Sequence, residues 1–152
     1  MKNIYQTDYT KVPKIFKLIK NHKNSEAIEY LKKNPEEINL KGWMDHTPLH
    51  KAAECGNLEL VKYLIKNEAE INAEGSSVYA TPLCWAKTLE IAILLLDNGA
   101  TMNDRELDGA TRGDRTEVID ELLSRGAKIN HQEPQFLNCH STQSLDVYLK
   151  HG

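Results

Sequence analysis

The side chains of this chain that could hold a metal or attack a substrate fall into two groups. His46 and His50 stand four residues apart with Cys55 five further on, and His131, Cys139 and His140 form a looser set near the C-terminus. Two imidazoles one helical turn apart can share a zinc ion, and a thiol can complete such a set. Against this, His46 falls before a helix start, so it need not share a face with His50. A cysteine nucleophile needs a base held against it, and no spacing here nominates one for Cys55, Cys84 or Cys139. The ordinary reading of these thiols is that of small apolar packing groups. No phosphate-binding loop, nucleophile elbow or paired-carboxylate signature stands out.

A different chemistry is suggested by Lys11, Lys14, Lys17, Lys20 and Lys23, which recur every third residue beside Ile15, Phe16, Leu18 and Ile19. That is the pattern of a basic amphipathic helix for a membrane surface or nucleic acid, and equally of a helix with a packed side and a wet one. Residues 1–40 carry eight Lys against five acids, whereas residues 41–152 carry eleven basic against seventeen acidic side chains. A chain acidic over most of its length is a poor candidate for tracking phosphates. The 152 residues, 40% apolar and 27% charged, suffice for one domain with a core. There is no apolar run of about 18 residues to span a membrane, and Met1–Thr10 is too polar for a signal peptide. Three scattered cysteines point to a reducing, cytoplasmic setting.

The elements that must position these residues announce themselves by repetition. TPLHKA at 47–52 returns as TPLCWA at 81–86, and YLKKNPEEIN, YLIKNEAEIN, LLLDNGATMN and LLSRGAKIN each close a striped helix with a short break ending on Asn. The closing residues Asn39, Asn72, Asn103 and Asn130 are 33, 31 and 27 apart. In the second unit Thr47 suits an N-cap and Pro48 the first helical position, where no N–H is needed. Gly56 permits a left-handed turn into a second helix striped by Leu58, Val61, Leu64 and Ile65. Glu68 occupies the helix-ending place held by Gly99 and Gly126 in later units, so its backbone should be left-handed. Pro35, at the same place in the first unit, cannot adopt positive φ. A period near 33 around TPLHxA resembles the ankyrin repeat, from about Val12 to the end of the chain.

The resemblance implies an all-α solenoid of helix-turn-helix units with short β-hairpin tips, in which His50 bonds near the Thr47 hydroxyl and ties neighbouring units. The expected boundaries are an N-terminal cap at 12–40, a full repeat at 41–72, a shortened one at 73–103, one lacking its hairpin at 104–130, and a C-terminal cap at 131–152. In the third unit about three residues are missing between the helices. In the fourth, only ten residues separate Asn103 from Gly113, the counterpart of Gly56, against seventeen from Asn39 to Gly56.

Proteins of this family bind partners at hairpin tips and on the exposed face of the first helices. Carried over by position, that surface comprises Trp43, Met44, Asp45 and His46 at one tip, Val78 and Tyr79 at the next, and Lys51, Glu54, Cys55 and Trp85 on first helices. Trp43 is either an exposed anchor or folded over the N-terminal cap, and Trp85 is either exposed or half-buried between units. Asp45, Glu54 and Glu74 lend this half an acidic rim, which favours a partner with a basic face. The expectation is therefore a stand-alone protein binder, monomeric when free: an adaptor, an inhibitor, or an immunity- or effector-type partner. It would need no cofactor, metal or small-molecule substrate and bind neither nucleic acid nor membrane. Its alternatives are binding of nucleic acid or a membrane through the basic first helix, and an activity hidden in the irregular C-terminal units.

Overall fold

The computed structural model describes residues 12–76, 81–102, 104–129 and 139–152, and all regular structure within them is helical. The first unit pairs α1 (Lys14–Lys20) with α2 (Asn24–Lys33), and the second pairs α3 (Pro48–Cys55) with α4 (Leu58–Lys66). The third has a single 3₁₀ turn, Pro82–Trp85, before α5 (Leu89–Asp97). Helices α6 (Asp104–Arg112) and α7 (Thr116–Ser124) make the fourth, and α8 (Thr142–His151) ends the chain. First helices stack in one layer, α1 on α3, α3 on the 82–85 turn and that turn on α6. Second helices stack in the other, α2 on α4, then α5, α7 and α8. One continuous core runs between the layers, from Ile15 and Leu31 through Leu49 and Leu95 to Leu107 and Ile119. No unit closes a core alone, so each is stabilised by its neighbours.

Local chemistry accounts for the turns. Gly56 has φ +76°, and the next N–H, of Asn57, reaches the Ala52 carbonyl at 2.9 Å. The same turn recurs at His22 (φ +55°, Lys23 N–H to Leu18 O, 3.0 Å) and at Asp114 (φ +50°, Arg115 N–H to Ala110 O, 3.0 Å). The left-handed residue of the fourth unit is thus Asp114 and not Gly113. Aspartate tolerates this region, and its carboxylate accepts from the hydroxyls of Ser141 (2.7 Å) and Ser144 (2.6 Å), joining the turn to α8.

At the far ends of the second helices Glu68 is left-handed as expected, with φ +64°, alongside Gly99 at +92° and Gly126 at +93°. In all three the following N–H bonds back across the turn, Ala69 to Leu64 O, Ala100 to Leu95 O and Ala127 to Leu122 O, at 2.9–3.0 Å. The first unit ends differently: Asn34 has a negative φ of −134° and Pro35–Glu37 form a 3₁₀ turn.

The closing asparagines stitch units together. Asn39 Oδ1 accepts from the Glu70 N–H at 2.8 Å, and Asn72 Oδ1 accepts from the N–H of Thr101 at 2.8 Å. Asn103 and Asn130 lie outside the described residues. Asn57 donates to the Ile19 carbonyl (3.2 Å) and meets His22 Nδ1 (3.0 Å), fastening the second unit to the cap.

Two expectations need correction. The residues lost from the third unit come out of its first helix, which keeps only the 82–85 turn; the Lys87 N–H then bonds the Ala53 carbonyl of the preceding unit at 3.1 Å. The tip at 42–46 is also no strand ladder. Met44 and Asp45 are both left-handed (φ +56° and +58°), which folds the segment into a tight turn closed by the Gly42 N–H on His46 O at 2.8 Å.

Candidate functional site

The 42–46 turn is held from below on two sides. A Cβ on Gly42 would stand 2.7 Å from the Phe16 ring, so the turn sits directly on the N-terminal cap. The Ser76 N–H bonds Met44 O at 2.9 Å, joining this turn to the start of the next. Next to the turn, Thr47 and His50 close a reciprocal capping box in which the Thr47 N–H donates to His50 Nδ1 at 3.1 Å. His50 is fully buried, which is the structural role expected of it.

On this base Trp43 is 65% exposed, the one exposed aromatic among the described residues, while Met44 is half-buried and Asp45 exposed. Trp43 therefore does not fold over the cap. His46, by contrast, is only 8% exposed and belongs to the floor rather than the contact face. Its ring stacks on His50 and receives the edge of Trp85 at a centroid distance of 5.3 Å, which leaves Trp85 half-buried between units. Val78 and Tyr79 lie outside the described residues.

Beyond His46 the face continues along α3. Lys51 and Glu54, both half-exposed, form an ion pair at 2.7 Å, and half-buried Cys55 follows. The charges of this pair are felt at both His46 and Cys55, and Lys87 and Lys20 also act on Cys55. The acidic rim expected here is mostly answered within the chain. Lys51 takes Glu54, and Arg105 approaches Glu74 to 3.7 Å, leaving Asp45. Sequence reasoning missed Lys87, whose backbone N–H bonds Ala53 O and whose side chain lies against Gly56, because that contact depends on how the third unit stacks on the second.

None of the three thiols is activated. Burial raises the pKa of Cys55 and Cys139, and it pushes Cys84 up to about 11, the opposite of what a nucleophile requires. Among the described residues no group of His, Cys, Asp and Glu could hold a metal ion, and His131 lies outside them. His46 and His50 lie face to face and do not converge on a common point.

Cys84 stands where the second unit has His50, and the structure fills the gap from the next unit. The Thr81 hydroxyl donates to the carboxylate of fully buried Glu106 at 2.8 Å, and the Cys84 thiol reaches the same oxygen at 3.6 Å. Arg115, at the place of Asn57, donates to the carbonyls of Cys84 (2.7 Å) and Gly109 (2.6 Å). These polar groups are structural links between the third and fourth units.

The apolar side of α1 is used up in the same way. Ile15, Phe16, Leu18 and Ile19 are all buried in the stack, so α1 has no apolar face to offer a bilayer. Lys14 lies 5.1 Å over the Tyr30 ring and Lys23 pairs with Glu26 at 2.9 Å. Among the described residues no helix is long and apolar enough to cross a membrane.

Stacked helix pairs, left-handed turns at fixed places and asparagine seams between units define a helical repeat solenoid, a class whose working surface is its exposed first-helix side and tips. A family model for ankyrin repeats, in three copies, matches residues 15–106. The chain belongs to the ankyrin-repeat family, whose members generally serve as protein-interaction modules and are typically non-catalytic. The match ends within α6. No curated protein matches the chain.

Proposed function

We propose that this protein acts by binding another protein across the face that runs from Trp43 and Met44, over Trp85 and the Lys51–Glu54 pair, to Cys55. The observation that carries this reading is the exposed indole of Trp43 on a turn anchored to both its neighbours. Large aromatic side chains held rigidly at a surface are what binding hot spots are built from. In this reading the protein works in the cytoplasm, where its three unbridged cysteines stay reduced, as a monomer before it meets its partner. It serves as an inhibitor, an adaptor, or an immunity- or effector-type partner, and has no chemistry of its own.

Wild-type and Trp43→Ala baits, captured against the source-cell lysate and compared by mass spectrometry, test the proposal. The wild type should retain a partner that Trp43→Ala loses, with affinity down about thirty-fold, the effect of about 2 kcal/mol typical of a truncated hot-spot tryptophan. Lys62→Ala, an exposed change on the second-helix side, should behave as wild type. Equal capture by the Trp43→Ala bait, with its circular dichroism unchanged, would place the binding face elsewhere.

A further inference from the structure

Counting from the N-cap puts the second helices in register. Lys23, Asn57, Thr88, Arg115 and Ser141 cap α2, α4, α5, α7 and α8. The fourth and eighth residues after the cap look toward the following unit. In α2, whose one neighbour in this layer is α4, they are Ala27 and Leu31, both fully buried, while Glu26 on the other side is exposed. They stay apolar in α4 and α5, and in α7 they are Ile119 and Leu123, buried again. In α8 they are Leu145, 37% exposed, and Leu149, 72% exposed. The side that α8 buries is the opposite one, where Ser144 meets Thr116 and Tyr148 meets Thr111. A terminal unit is expected to turn a polar face outward, as Glu26 does at the first unit; at α8 two leucines stand there instead.

The likeness to the preceding seam extends to charge. Asp120 follows Ile119 in α7 and Asp146 follows Leu145 in α8, so α8 repeats on its outer side the surface with which α7 receives α8. At that seam Asp120 accepts from Lys150 Nζ at 3.0 Å and lies 2.7 Å from His151 Nε2. Asp146 is exposed and makes no ion pair among the described residues. We infer that the outer face of α8 docks one amphipathic helix of another protein, with apolar residues four apart on Leu145 and Leu149 and a basic residue on Asp146. Each seam of this layer sets a helix in that place: α4 on α2, α5 on α4, α7 on α5 and α8 on α7. The inner helices show what fits, with Leu60 and Leu64 in α4 and Val118 and Leu122 in α7 as the buried pairs four apart. A second copy does not supply such a helix. Its α8 has the matching side packed in its own stack, its first unit turns Glu26 outward, and its Lys150 is engaged by Asp120. This surface is separate from the Trp43 face and does not rest on the reading given for it. One helix stripe is a small interface, so binding should be weak and exchange fast.

The test uses the whole chain labelled with nitrogen-15 and two alanine-based helical peptides of about 16 residues. Both carry two leucines four apart; one has lysines in the places of Lys150 and His151, the other glutamates. The lysine peptide should shift the backbone amides of Leu145, Asp146 and Leu149 and bind at least about threefold more tightly than the glutamate peptide. Asp146→Lys should reverse that order, and Leu149→Glu should weaken the lysine peptide at least about tenfold. Trp43→Ala should leave the titration unchanged. Circular dichroism checks that the variants remain folded, and Leu149→Ala offers a milder version if Leu149→Glu does not. No shift at the three amides with the lysine peptide would overturn the proposal, as would an order of peptides that Asp146→Lys leaves unchanged. A concentration-dependent dimer in light scattering that Leu149→Glu dissolves would give the face to a second copy and overturn it too.

Discussion

The imidazole of His46 lies flat against that of His50, with ring planes 3° apart and centroids separated by 4.8 Å. His50 Nδ1 is committed to Thr47, whereas His46 Nε2 is buried with no hydrogen-bond partner. Burial lowers the pKa of His46 from its ordinary 6.5, opposed by the charges of Glu54 and Asp45 and assisted by Lys51. In the unfolded chain the ring takes its proton near the ordinary value, and in the folded chain only below it. Its contribution to stability is therefore intact above the ordinary value and lost as pH falls from there through the depressed folded one. Urea midpoints measured at about pH 7.5 and about pH 5.5 should show a loss in the wild type that His46→Phe reduces. Direct titration of His46 by NMR at or above 6.5 would sink this account.

Glu68 holds a left-handed conformation that its counterparts leave to Gly99 and Gly126. A side chain there costs about 1 kcal/mol relative to glycine, part of it recovered because glycine loosens the unfolded chain. Glu68→Gly should raise stability by up to that amount in calorimetry. A clear loss would mean that the exposed carboxylate contributes something its environment does not reveal.

Gly42 carries no side chain because Phe16 stands in the way, 2.7 Å from any Cβ. Gly42→Ala should cost about 1–3 kcal/mol, the usual range for overpacking against a buried ring. Gly99→Ala makes an instructive contrast, since nothing lies within 4 Å of that site and only its φ of +92° is at stake. Were Gly42→Ala neutral, the turn would not rest on the cap.

The junction of the third and fourth units should be the weak point of the stack. It joins a single 3₁₀ turn to α6 through Thr81, Glu106 and Arg115, and the buried Nε of Arg115 has no partner. Hydrogen exchange should find α6, α7 and α8 opening more readily than α3 and α4, because solenoid stability is a sum over neighbouring interfaces. Equal protection along the chain would be the contrary result.

What was legible in the sequence was the chemistry that neighbouring residues decide. Thr47, Pro48 and His50 specify their cap within four positions, and Gly56 and Glu68 their turns by comparison with sister units. Glycine is the stronger turn signal and points to Gly113, whereas the turn falls at Asp114 because of serines 27 and 30 residues downstream. The turn at Met44 and Asp45 carries no glycine or asparagine at its left-handed positions, so nothing local announces it. Within the candidate site, Trp43 could be placed on a tip, but its exposure is a property of packing. His46 looked like part of the tip and is buried by contacts from Gly75 and Trp85. Glu106 and Lys87 act on units other than their own, and repeat comparison is blind to such exchanges.

The seams bear also on how quickly the chain can fold. His22 meets Asn57 across 35 residues, Asn39 meets Glu70 across 31, and Asn72 meets Thr101 across 29. Each bond therefore closes a loop about one repeat long, and closing a loop of that size costs little more for the last unit than for the first. The separation between bonded partners thus stays near one repeat and does not grow along the stack. On the ribosome, the partner that completes each unit emerges about one repeat later, so assembly can follow synthesis at a fixed short distance.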